Sequence, residues 1–168
     1  MKKLLTFLDR FFNRTYVRNI GEEEIPRCVE MAVQSLNESG IHISPDAPKR
    51  LREHFSQISV TEYSTALVAY SGKKITGMVC CGMVEPDLWD GRRTAMVWFL
   101  YVEPGSRHHP GVALALLRGC FARICAWGAE RVRIAVNEEH ARLMDKYERR
   151  MEFRREASYR AYSLDIQE

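Results

Sequence analysis

Two periodicities alternate along this chain, and the switches between them mark its elements. Over residues 2–13 the apolar positions Leu4, Leu5, Phe7, Leu8, Phe11 and Phe12 fill one side at about 100° per residue, with Lys2, Lys3, Thr6, Asp9, Arg10 and Asn13 opposite. This predicts a short amphipathic helix in a segment, 1–14, ahead of a domain spanning 15–168. Its apolar face is expected to pack on the domain or on a twin subunit, or else to dock on a partner or a membrane surface. "TYVRNI" (15–20) reads as a strand. Glu22, Glu23 and Glu24 then open a helix, where negative charge suits the N-terminal dipole; Ile25, Val29, Ala32, Val33 and Leu36 form its stripe and Gly40 ends it. "SPDAP" (44–48) starts a second helix with Leu51, Phe55 and Ile58 inward. "STALVAY" (64–70), the turn "SGKK" and "ITGMVCCGMV" (75–84) predict an antiparallel hairpin, and "TAMVWFLYV" (94–102) the next strand after a loop at 85–93.

From Pro110 the pattern is helical again. Ala113, Leu116, Leu117, Cys120, Phe121 and Ile124 face one way, and Ala115, Arg118, Gly119, Ala122 and Arg123 the other, until Gly128. A strand at 131–137, a helix at 138–150 and a closing hairpin at 152–166 complete the order β-α-α-β-β-β-α-β-α-β-β. That order describes a single α/β domain.

Composition narrows the chemistry. At 168 residues and 46% hydrophobic the chain can bury one real core. The net charge of +3 is small, but residues 107–160 carry 12 Lys/Arg against 7 Asp/Glu, which favours an anionic ligand near that half. Five cysteines without C-x-x-C spacing, two of them adjacent (Cys80, Cys81), predict small core residues in a reducing compartment. Five histidines without H-x-x-x-H spacing give no metal site. No apolar run reaches transmembrane length, and Asp9 and Arg10 interrupt the N-terminal apolar segment, so a cytoplasmic protein is expected.

One stretch asks for a ligand. "YVEPGSRHHPGVALALL" (101–117) sets an Arg, two His, a Pro and a Gly between a strand and a helix. A helix N-terminus offers unpaired N–H groups and partial positive charge to a phosphate. Gly111 lets a diphosphate approach the backbone, Pro110 suits the first helical turn, and Arg107 can add a charge-assisted contact.

That stretch resembles the coenzyme A loop of the GNAT superfamily of N-acetyltransferases, in which a strand ending V-x-P runs into R/Q-x-x-G-x-G/A and a helix. "NEEHARLMDKYERRMEF" (137–153) resembles the family's following N…A…Y-E-x-x-G-F segment, and the similarity spans roughly residues 15–166. It implies a GNAT-like α/β domain: a mixed, mostly antiparallel sheet flanked by helices, with the strand before the loop splayed from its neighbour. It implies acetyl-CoA as co-substrate and an amine acceptor, a small molecule or a protein. Val102 would meet the acyl-pantetheine, and Arg107, His108, His109, Gly111, Val112 and Ala113 would line the pyrophosphate. Tyr101 and Asn137 are carried over as further coenzyme contacts. Either His108 stands at the family's Arg/Gln position, or Arg107 does with one extra loop residue.

The resemblance also says where chemistry is expected. The family's strand carboxylate is missing from "TAMVWFLYV", which leaves Glu85 and Glu103 as candidate bases. The family's thiolate acid is a Tyr five residues before the Phe of G-F; here Tyr147 is six before Phe153 and Glu152 replaces the Gly. Tyr147 is the candidate acid, and the Val102 N–H a candidate oxyanion donor. The reading is an N-acetyltransferase acting by direct transfer. The alternative is a catalytically weak or inactive relative used as a structural or interaction protein, of the kind some bacteriophages carry. Nucleic-acid binding ranks last, for want of interleaved aromatic and basic residues.

Overall fold

A computed structural model describes residues 15–58, 61–86, 91–108 and 110–134. The chain divides into two compact units, Met1–Val136 and Asn137–Glu168, and the described residues all belong to the first. The helix expected at 2–13, the end of the strand at 131–137, the helix at 138–150 and the closing hairpin lie outside them.

Among the described residues five strands form one sheet in chain order: β1 (Tyr16–Asn19), β2 (Ser64–Ser71), β3 (Lys74–Val84), β4 (Thr94–Val102) and β5 (Arg131–Ile134). The first four pair antiparallel and β5 runs parallel to β4. A parallel neighbour needs a crossover, and helix α3 (Pro110–Ala126) supplies it. β2 and β3 meet in a two-residue turn, with Gly72 at φ 61° where a side chain would be strained.

Helices α1 (Ile25–Glu38) and α2 (Ala47–Ile58) cover one face of the sheet. Cys28, Met31, Ala32, Phe55 and Ile58 pack there with Ala66, Val68, Met78, Cys80 and Tyr101. The stripe read from the sequence omitted Cys28 and Met31, both fully buried, while Val33 is only partly buried. The three glutamates do not begin the α-helix. They form a 3-10 turn, Glu22–Glu24, in which the Glu24 carboxylate accepts the Gly21 N–H at 2.6 Å. Glu24 is buried, with Arg18 and the Tyr70 hydroxyl on it, so it is more than a dipole partner.

α3 covers the other face, against β1 to β4. It is buried around more of its girth than a simple two-sided reading allows, since Leu114 and Ala115 are buried too. Gly119, read as outward, faces the sheet: a Cβ there would lie 3.0 Å from Leu67 and 3.3 Å from Val17. Both α1 and α3 end on a glycine at positive φ, Gly40 and Gly128, followed by a six-to-one hydrogen bond, Ile41 N–H to Leu36 and Ala129 N–H to Ile124. Cys80 and Cys81 point to opposite faces; all five cysteines are free thiols, and the hydrogen bond with Cys81, followed by burial, pushes the Cys120 thiol far up.

Candidate functional site

The site is built on the second half of β4. β3 follows β4 along its length, from Val84 opposite Thr94 to Gly77 opposite Val102. β5 follows only from Thr94 to Val97. Among the described residues, no strand pairs with β4 beyond Val97 on that side. The β3–β4 register slips at the same level. Cys81 faces Val97 and Cys80 faces Phe99, so Trp98 is an extra residue in a bulge. A bulge suspends the alternation of side chains, and both Trp98 and Phe99 pack on the α1–α2 face.

The backbone beyond the bulge can be assigned by parity. Glu103 N–H donates to the Thr76 carbonyl at 3.0 Å, so the main chain of Glu103, and of Tyr101 two residues earlier, faces β3. The N–H and C=O of Leu100 and Val102 therefore face away from β3, where no strand among the described residues pairs with them. The chain then makes a tight turn, Pro104–Ser106, with Ser106 N–H and Arg107 N–H bonded back to Glu103 and Pro104. Arg107 and the exposed His108 follow, and α3 begins at Pro110. Gly111 and Val112 lie in its first turn, where helix geometry provides no internal acceptor for an N–H. Ala113 follows them. Among the described residues, a stretch of β4 with no strand on that side thus leads, through a basic turn, to the first amides of a helix.

Arg107 does not project freely from this turn. Its Nε donates to the Val102 carbonyl at 2.9 Å, its Nη2 pairs with Glu38 at the end of α1, and the guanidinium lies 5.3 Å from the Tyr101 ring centre. The buried Tyr101 hydroxyl donates to Glu38 at 3.0 Å. Burial first, and Glu38 second, push the Tyr101 hydroxyl up to about 12. Burial would raise Glu38, but bonds from Arg107 and Tyr101 outweigh it and hold that carboxyl low. Tyr101 supports the turn from beneath.

Glu103 is also occupied. Its buried carboxylate pairs with Arg27 of α1 on one oxygen and with Lys74 Nζ at 2.7 Å on the other. Burial pushes its pKa up, but Lys74 and Arg27 bring it below the usual carboxylate range, which makes it a poor proton acceptor. Glu85 is exposed just past β3, at the opposite end of the β3–β4 ladder from Val102, roughly 25 Å along the strands. The geometry brings Tyr101, Val102, Arg107, His108, Gly111, Val112 and Ala113 together and leaves Glu85 apart. His109, Asn137 and Tyr147 lie outside the described residues. The reading from sequence missed Glu38, Arg27 and the Trp98 bulge. An unbroken apolar run hides a bulge, and no local spacing links Glu38 to Arg107, 69 residues on.

Comparisons with known proteins agree with this fold. The profile of the acetyltransferase (GNAT) family matches residues 29–153. Among curated proteins, none matches in sequence. Solved structures share the fold at low identity. A predicted acetyltransferase from Clostridium acetobutylicum, solved with acetyl-CoA, is 16% identical at TM-score 0.73, over 90% of this chain and 96% of its own. An aminoglycoside acetyltransferase from an uncultured soil metagenomic sample, in complex with sisomicin, is 17% identical at TM-score 0.66, over 94% and 99%. A transcriptional regulator from Bacillus halodurans is 17% identical at TM-score 0.70, over 90% and 99%.

Proposed function

The chain belongs to the acetyltransferase (GNAT) family, and on that premise we propose that it transfers the acetyl group of acetyl-CoA directly to an amine. The observation that carries this reading is the β4 main chain at Leu100 and Val102, turned away from β3 and without a paired strand there among the described residues, leading to the first turn of α3. An extended amide-bearing arm can add to a free strand edge as a further strand would, and a diphosphate suits unpaired amides beside Gly111. His108, His109, Val112 and Ala113 complete the proposed diphosphate surround, with Arg107 holding the turn in shape. Tyr101 and Asn137 are proposed to support the arm.

Acetyl-CoA supplies an activated thioester carbonyl. The Val102 N–H, on the side of β4 turned away from β3, is the proposed donor to that carbonyl oxygen as negative charge grows on it. The amine nitrogen bonds to the acetyl carbon, the carbon–sulfur bond breaks, and the proton lost by nitrogen ends on sulfur. Tyr147 is the proposed acid for that sulfur; Tyr101 is unsuited, since its hydroxyl is committed to Glu38. The ion-paired Glu103 and the distant Glu85 are weak bases here, so the amine arrives unprotonated or loses its proton to water.

That engagement of Glu103, with no carboxylate on β4, is also what favours the second reading, a relative that binds coenzyme without turnover. Calorimetry with acetyl-CoA and CoA, followed by thiol release over a panel of amines, separates the two. Binding with amine-dependent thiol release is expected. Absence of binding at about millimolar ligand overturns the coenzyme assignment, and binding without release selects the second reading. In an active protein Tyr147→Phe should lower kcat about 10²–10⁴-fold with little change in KM for acetyl-CoA; an unaffected variant returns Tyr147 to packing.

A further inference from the structure

Glu103, the residue after Val102, is engaged at each of its polar groups. Its N–H donates to the Thr76 carbonyl at 3.0 Å, and its carbonyl accepts the Ser106 N–H at 2.8 Å. One carboxylate oxygen takes Arg27 of α1, and the other takes Nζ of Lys74, the first residue of β3, at 2.7 Å. The end of β4, the first turn of α1 and the start of β3 therefore meet on one side chain. Arg27 is oriented in turn, since its other terminal nitrogen pairs with Glu30.

Stability alone does not account for a carboxylate here. The ion pairs offset its burial, but an apolar side chain would fill the place with no such cost to offset. What a carboxylate adds is direction. The peptide between Val102 and Glu103 shows where direction is needed. Its N–H goes to Thr76, and its C=O receives Arg107 Nε at 2.9 Å. In a trans peptide those two groups point opposite ways, so both bonds lie close to one line and leave the plane free to tilt about it. The Cα of Glu103 lies off that line. A carboxylate pulled towards two elements stops the tilt, and with it the swing of Val102 that would re-aim its N–H.

We infer that Glu103 is a positioning residue: held by Arg27 and Lys74, it aims the Val102 main chain at the pantetheine arm and thioester of acetyl-CoA. This rests on the acetyltransferase reading. The turn beyond has its own anchor in the pair of Arg107 with Glu38. The arm and the diphosphate are therefore served by different carboxylates, Glu103 for the first and Glu38 for the second.

The test is calorimetry on the full chain with acetyl-CoA and with 3′-phospho-ADP, which keeps the nucleotide and the diphosphate and lacks the arm. Wild type should bind both. Glu103→Gln keeps the shape of the side chain and removes its charge, and both cations can rehydrate, Arg27 with 39% and Lys74 with 71% of its side chain exposed. Its affinity for acetyl-CoA should fall at least about tenfold, while its affinity for 3′-phospho-ADP stays at the wild-type value. A merely structural role would move both together or neither. Glu103→Asp should recover part of the loss. Lys74→Gln, at an exposed position, should show a smaller loss confined to acetyl-CoA, and it decides the question if Glu103→Gln does not fold. Acetyl-CoA affinity unchanged in Glu103→Gln and in Lys74→Gln, or an equal loss for both ligands, overturns this inference and leaves the acetyltransferase reading standing. Failure of wild type to bind acetyl-CoA overturns both.

Discussion

Arg107 donates through Nε to the main-chain carbonyl of Val102 at 2.9 Å, closing the turn between β4 and α3 on itself. The same guanidinium pairs with Glu38, so the turn is tied to the end of α1 as well. A planar fork can satisfy a carbonyl and a carboxylate at once, which an ammonium group does poorly. Arg107→Ala should weaken CoA binding about tenfold or more, about 1.4 kcal/mol, and Arg107→Lys should recover little of it. Glu38→Gln should weaken binding several-fold by loosening the turn. If calorimetry shows Glu38→Gln binding CoA more tightly than wild type, Glu38 competes with the diphosphate for Arg107.

Gly111 tests the helix terminus itself. Gly111→Val would set a branched side chain beside amides proposed to meet the diphosphate, and CoA affinity should fall at least about tenfold. Thermal stability should change little, because Gly111 is only half-buried in the first turn of α3. A variant that unfolds instead, seen by circular dichroism, would place that position in the core.

Gly77 lies opposite Val102 in the ladder, under α3. A Cβ there would come 2.7 Å from the Tyr101 carbonyl oxygen, 3.1 Å from Leu116 and 3.3 Å from Val112. Backbone cannot yield as a side-chain tip can. Gly77→Ala should cost about 2–3 kcal/mol in urea unfolding and weaken CoA binding too, since the shift would move β4 away from α3. A neutral Gly77→Ala would show that β3 slides freely against β4.

Acid should unfold the protein through two buried carboxylates. Burial raises Glu24 and Glu103, but the Tyr70 hydroxyl, the Gly21 N–H and Arg18 outweigh it for Glu24, and Lys74 and Arg27 do so for Glu103, leaving both below the ordinary 4.5. A carboxyl lowered on folding contributes stability that is complete above its unfolded value and lost as pH falls through its folded value. Urea stability should hold at neutral pH and decline below 4.5. Glu24→Gln should cost about 2 kcal/mol at neutral pH and flatten the acid limb. An unchanged acid limb in that variant would assign the decline to other groups.

The chain's own periodicity determined most of the scaffold. Residues 94–102 are apolar and rich in branched and aromatic side chains, and they are the strand that forms; Gly40, Gly72 and Gly128 punctuate where positive φ is needed. The loop at 101–117 was legible because a phosphate-binding terminus is a local object, made of consecutive residues whose amides need no distant partner. Only tertiary structure decided what those residues touch. Arg107 reads as a free cation in sequence, yet Glu38 claims it, and Glu103 reads as a candidate base, yet Arg27 and Lys74 hold it. Trp98 reads as one more inward or outward residue until the β3–β4 register slips by one and turns it towards His54. Backbone propensity is set within a few residues, whereas the partner of a charge depends on register and side-chain direction across the sheet. A sequence lists the charges and leaves their pairing to the fold.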